Sequence, residues 1–98
     1  MIQSFRDRGT NDVFHGVKSR AASKVCPATL WRVARRKLDQ LNQAHVLQDL
    51  GVPPGNKLEA LKGDRKGEHS IRINKQYRAC FRWTPAGPGD VQIVDYHA

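Results

Sequence analysis

The apolar residues of this chain change period partway along it, and that change constrains the fold more than any other feature. From Pro27 to about Ala44, the residues Leu30, Trp31, Val33, Ala34, Leu38, Leu41 and Ala44 fall on one arc of a helix. Arg32, Arg35, Arg36, Asp39 and Gln43 fall opposite. Lys37 lies inside the apolar arc, where its long stem lets the ammonium reach water. A turn-rich connector, Gly51-Val52-Pro53-Pro54-Gly55-Asn56, follows. After it the period becomes two. Ile71 and Ile73 share one face, with Ser70, Arg72 and Asn74 on the other. Tyr77, Ala79, Phe81 and Trp83 then alternate with Arg78, Cys80 and Arg82. Helical spacing first and strand spacing afterwards predict a single α+β domain over 1–98, with helices packed on one face of an antiparallel sheet.

The remaining elements are read more locally. Met1 to Phe5 fits a short strand. Thr10 or Asn11 fits as the cap of a short helix running to about Val17. Residues 18–24 are small and polar and read as a loop. Pro27 suits the first turn of the main helix, and Ala44 to Leu50 adds a helical turn. Leu58 and Leu61 flank a short extended segment, and glycines bracket the loop 62–67. Asn74-Lys75-Gln76 reads as a hairpin turn, residues 85–89 as a second turn, and Val91 to Tyr96 as the last strand.

Charge points to the partner class. Seventeen Lys and Arg oppose nine Asp and Glu, giving +8. Such a field attracts polyanions and speeds encounter with them, so RNA, DNA, ribosomes and acidic proteins all fit. Membrane binding fits poorly, because the most basic stretch reads as strands and loops. No run approaches the ~20 apolar residues of a membrane span, and the N-terminus lacks the apolar core of a signal peptide. Cys26 and Cys80 form no C-x-x-C pair, which argues against zinc and a disulfide framework and for a reducing cytoplasm. No metal or cofactor is expected. His15, His45 and His69 are isolated and lack ligand spacing. The loop at Lys62-Gly63-Asp64-Arg65 lacks the strand–loop–helix setting of a phosphate-binding P-loop.

Chemistry concentrates in the second half. Lys57, Lys62, Arg65, Lys66, Arg72, Lys75, Arg78 and Arg82 are opposed only by Glu59, Asp64 and Glu68. Arg72, Arg78 and Arg82 take the non-apolar parity of their strands, so adjacent strands bring them onto one surface. Guanidinium groups make forked, permanently charged contacts with phosphate. Asp95-Tyr96-His97 then supplies a carboxylate, a phenol and an imidazole. Histidine titrates near ~6.5 and can donate a proton at neutral pH, and an aspartate can orient it. Strict alternation places Asp95 and His97 with Val91 and Ile93, and Tyr96 on the opposite side.

Four motifs in order carry a family resemblance: Leu61-Lys62-Gly63-Asp64-Arg65, Ser70-Ile71-Arg72-Ile73-Asn74, Tyr77-Arg78 and Asp95-Tyr96-His97. Together with Met1-Ile2-Gln3-Ser4-Phe5 and the following helices, they make the chain resemble HigB-type toxins of the RelE/ParE superfamily over essentially its whole length. The resemblance implies two N-terminal helices on a curved antiparallel sheet, as in microbial ribonucleases. It implies a type II toxin, cytoplasmic, that cuts translated mRNA in the ribosomal decoding site. It also implies a helix-turn-helix antitoxin, HigA-like, through which alone the toxin meets operator DNA. Mapped onto this chain, His97 fits the acid, Asp95 its orienter, Lys62 and Arg78 the phosphate clamps, and Tyr96 a stacking or positioning group. Arg65, Lys66, Arg72 and Arg82 extend the RNA surface. Members of the family often carry His where this chain has Glu59, so Glu59 is either the general base or a passive carboxylate. The alternatives are a ParE-like gyrase inhibitor and a non-catalytic ribosome- or RNA-binding module.

Overall fold

The computed structural model describes residues 1–96. Three α-helices, α1 (Arg8–His15), α2 (Arg20–Val25) and α3 (Trp31–Gln43), precede a four-stranded sheet. Its strands are β1 (Glu59–Ala60), β2 (His69–Arg72), β3 (Tyr77–Thr84) and β4 (Gly87–Asp95), antiparallel and in chain order. The α+β architecture is as expected, but with an additional helix.

That helix, α2, occupies part of the segment expected to be a loop. Ser19 caps it by accepting from the Ala22 N–H, and the same hydroxyl donates to Asp12 Oδ2 at 2.6 Å. With six residues and only Ala22 buried, it has no apolar stripe for the sequence to reveal. It packs closely on α1 because Gly9 has no side chain. A Cβ there would lie 2.4 Å from the Ala21 carbonyl oxygen.

Helix α1 begins earlier than expected, because Asp7 accepts from the Thr10 N–H at 2.7 Å. Thr10 is not the cap. It is fully buried, and its hydroxyl accepts from the Ile93 N–H at 3.0 Å, tying α1 to β4. Gly16, at φ 74°, closes the helix while the Val17 N–H reaches back to the Asp12 carbonyl. Residues 28–30 form a 3₁₀ turn leading into α3, whose Ala34, Leu38 and Leu41 are buried as the period predicts. They pack with Ile71, Ala79, Phe81, Val91 and Ile93 from the sheet. Burying each of the larger side chains contributes about 1.5–3 kcal/mol.

The connector is held by a residue whose role the sequence did not show. Asn56 is fully buried and donates to Gln40 Oε1 and to the Leu50 carbonyl at 2.8 and 3.0 Å. Its oxygen accepts from Lys37 Nζ at 2.6 Å. Lys37 thus turns aside to Asn56 from within the apolar arc of α3.

The N-terminal strand is realised as an extended segment running parallel to β4, with a single bridge between Phe5 and Val91. The second hairpin turn is tighter than expected, since β4 begins at Gly87. A bulge follows: Cys80 pairs with Gln92 but Arg82 with Gly89, and Asp90 takes φ 50° at the extra position. The helices cover the Ala79 and Phe81 face, leaving the reverse face to Ser70, Arg72, Arg78, Cys80 and Arg82.

Candidate functional site

Strand parity assembles the site. Arg72 lies directly opposite Arg78, and Ser70 directly opposite Cys80, all on the face away from the helices. Glu59 pairs with Ser70 and extends that row onto β1. A cleft of about 470 Å³ opens there, lined by Lys57, Glu59, Arg72, Asn74, Lys75, Arg78 and Tyr96. Five of these seven were singled out from sequence as basic or chemical residues of the second half, apart from Asn74 and Tyr96, and Tyr96 was singled out in the final motif.

Arg78 is the most firmly held of them. Its Nε donates to Ser70 Oγ at 2.6 Å, and Nη2 donates to the Lys57 and Ser70 carbonyls at 2.6 and 3.3 Å. Its Nε also lies 3.6 Å from Glu59 Oε1. The Arg78 side chain is only 12% exposed and that of Glu59 is 55% exposed. A fixed guanidinium therefore sits beneath a carboxylate that water and substrate can reach. Lys57 presents its carbonyl from a left-handed backbone, φ 46°. Sequence reasoning missed Ser70 as a support, although its parity with Arg72 was visible.

Arg72 is turned towards the hairpin, donating from Nε to the Asn74 carbonyl at 3.1 Å. Asn74 builds that turn as its side chain accepts from the Gln76 and Tyr77 N–H groups at 2.8 Å. Two guanidiniums facing one another across β2 and β3 with a single carboxylate nearby leave net positive charge for an anion.

Tyr96 reaches the same face. Burial, together with the Cys80 thiol to which it hydrogen-bonds, pushes its phenol above the usual tyrosine range, while Arg65 and Arg78 pull the other way. Cys80 is fully buried, and burial likewise raises its thiol, against the influence of Arg65, Tyr96 and Arg78. Both groups stay protonated at neutral pH, so Tyr96 offers a hydroxyl donor and not a base. Asp95 diverges from Tyr96, as alternation requires. It pairs with Tyr77 on the core-side parity, and Gln76 Nε2 donates to its carboxylate at 3.0 Å. His97 lies outside the described residues.

The other basic residues separate into two groups. Arg65 is engaged: Nη1 donates to Glu68 Oε1 at 3.1 Å and Nη2 to Gln92 Oε1 at 2.9 Å. Glu68 is buried, and Arg6 approaches its other oxygen at 3.8 Å. Arg65 thus props the loop against β4. Lys62, Lys66 and Arg82 are exposed, with Lys62 preceding the 3₁₀ turn Gly63–Arg65 and Arg82 reaching towards Gly67. None of the three lines the cleft. His69 points to the core side, where it stacks on Phe81 at 6.2 Å between ring centroids. Among the described residues no cluster of His, Cys, Asp and Glu could hold a metal ion, both cysteines are free, and no helix is long and apolar enough to cross a membrane.

The chain as a whole is similar to known proteins. A family model described as the RelE-like toxin of the type II toxin-antitoxin system HigB matches residues 3–97. Toxin HigB-1 of Vibrio cholerae is 37% identical over 83 residues, covering 85% of this chain and 84% of the relative. An uncharacterized protein of Haemophilus influenzae is 41% identical over 61 residues, 62% of this chain and 59% of its own length.

Proposed function

The chain belongs to the HigB-like family of type II toxins, and from that premise we propose that it is a ribosome-dependent endoribonuclease that cuts translated mRNA. The observation that carries this reading is the seating of Arg78: a guanidinium fixed on Ser70 and the Lys57 carbonyl, beside Glu59, in an open cleft. A fixed cation is what a phosphodiester needs as charge builds in the transition state, because no reorganisation is required then.

RNA supplies its own nucleophile. Its 2′-OH attacks the neighbouring phosphorus, a P–O2′ bond forms and the P–O5′ bond breaks, leaving a cyclic phosphate and a 5′-hydroxyl. One group must take the 2′-OH proton and another must give a proton to O5′. Glu59 is assigned the first task, a reading supported by its exposure and its approach to Arg78. His97 is assigned the second by its imidazole chemistry, with Asp95 as its orienter. Arg78 neutralises the phosphate, Lys62 is assigned a further positive charge toward it, and Tyr96 stacks on a base or donates to the phosphate. Arg72, Lys66 and Arg82 extend the RNA surface, and Arg65 supports it from behind.

Transcript and ribosome are the partners in this reading, with an antitoxin to restrain the activity in the cytoplasm. Primer extension on a reporter, with and without translation, tests it. Cuts are expected only on the translated reporter. Intact mRNA accompanied by a supercoiling defect favours gyrase inhibition, and stalled ribosomes on uncut mRNA favour a non-catalytic binder.

A further inference from the structure

A single row of side chains crosses the sheet beneath the cleft. Glu59, Ser70, Cys80 and Gln92 lie directly opposite one another in turn, from β1 through β4. Ser70 Oγ accepts from Arg78 Nε at 2.6 Å, and Gln92 Oε1 accepts from Arg65 Nη2 at 2.9 Å. Between these two supports Cys80 is fully buried, and its thiol shares a hydrogen bond with the Tyr96 hydroxyl. Arg65 and Arg78 both act on this thiol and on the phenol, so the pair lies within the field of the two guanidiniums. The main chain of Tyr96 is anchored separately, its N–H donating to the Gln76 carbonyl at 2.5 Å. That bond fixes the backbone just past β4 but not the direction of the ring, which its side-chain torsions set.

We propose that Cys80 is a positioning residue for the cleavage reaction: its thiol holds the Tyr96 side chain in one direction in the cleft before RNA enters. A group set in advance costs no reorganisation when the substrate reacts. A thiol suits this place. Sulfur is a weak hydrogen-bonding group, so burying it costs less than burying a hydroxyl, yet it still orients a phenol. Burial also keeps the thiol protonated and unreactive beneath Tyr96. Cys80 itself is too deeply buried to touch RNA, so it acts only through Tyr96. The inference rests on the cleavage reading and adds a residue to it.

Single-turnover cleavage on programmed ribosomes, in a cycle of Cys80→Ala and Tyr96→Phe, tests it. Alone, Cys80→Ala should slow the cleavage step about three- to tenfold and leave ribosome affinity unchanged. Cys80→Ser, which keeps a hydrogen-bonding group, should recover most of that loss. In Tyr96→Phe there is no hydroxyl to hold, so adding Cys80→Ala should cost less than about twofold more. Cys80→Val fills the space without a polar atom and replaces Cys80→Ala should the smaller residue fail to fold. The proposal is overturned if the folded variant cuts at the rate of the unaltered chain, or if Cys80→Ser cuts no better than Cys80→Ala. It is also overturned if Cys80→Ala slows cleavage equally with and without the Tyr96 hydroxyl, the mark of a residue that only packs. The ring resonances of Tyr96, assigned with Tyr96→Phe and read at neutral pH without RNA or ribosomes, should shift in Cys80→Ala and move back in Cys80→Ser. Unchanged resonances in Cys80→Ala overturn the seating. If the unaltered chain cuts no translated mRNA, the cleavage reading fails, and the resonances still decide whether Cys80 holds Tyr96.

Discussion

Arg78 donates through Nε to the hydroxyl of Ser70 at 2.6 Å, and Ser70 lies fully buried beneath it. A serine on the polar side of a strand usually faces water. Here it fixes the direction of a guanidinium. Ser70→Ala removes the acceptor, so Arg78 keeps its charge but loses its seat. The expected result is a fall in cleavage of roughly tenfold, with stability lowered by about 1–2 kcal/mol. Arg78→Ala should cost about 10²–10³ in rate. Arg78→Lys should not restore it, because an ammonium lacks the fork that spans Ser70 and the Lys57 carbonyl. Single-turnover rates and melting curves on the three variants check this.

Glu59 stands 3.6 Å from Arg78 with its side chain 55% exposed. As the general base it must be ionised to act. Glu59→Gln should reduce cleavage by about 10²-fold or more and remove the acidic limb of the pH–rate profile. A passive carboxylate would leave both the limb and the rate in place.

Asn56 tests the frame that presents the site, since Lys57 follows it directly. Asn56→Ala strips partners from the Leu50 carbonyl, Gln40 and Lys37. Leaving buried polar groups unpaired costs about 2–3 kcal/mol, which lowers the melting temperature by roughly 10–20 °C in a domain of this size. Calorimetric melting of the variant measures it.

Much of this arrangement was legible in the sequence, and the exceptions have local causes. The apolar arc of α3 and the alternation in β2 and β3 are periodic over enough residues to fix both elements and to place Arg72 and Arg78 together. Helix α2 was hidden because its contacts are made by small residues against Gly9, which leave no hydrophobic stripe. Thr10 looked like a cap because a hydroxyl near a helix start usually is one, whereas here it reaches Ile93. The bulge at Asp90 and the Arg65–Gln92 contact join residues distant along the chain, which no local pattern shows. The seat of Arg78 belongs to the same class, since it depends on strand register and on the backbone turn at Lys57. Alternation did anticipate the divergence of Asp95 from Tyr96.

Alkaline pH should weaken the fold in a predictable sense. Burial pushes the Cys26 thiol up to about 11, and raises Cys80, Tyr77 and Tyr96 as well. In the unfolded chain these groups release protons first, so the protonated native state is favoured below their ordinary values and loses that advantage as pH rises through the raised ones. Melting temperature should therefore fall from about pH 9 to 11. Cys26→Ala should flatten part of that decline, and thiol reagents should modify folded protein slowly at pH 8.

The central claim is that Arg78 stabilises a phosphate during cleavage of ribosome-bound mRNA. It is tested most directly by adding purified toxin to ribosomes programmed with a short mRNA and mapping the products. The unaltered chain should cut the transcript only when ribosomes are present, and Arg78→Ala, though folded and still ribosome-bound, should cut at least a hundredfold more slowly. An uncut transcript with the unaltered chain, or undiminished cutting by Arg78→Ala, would contradict the account.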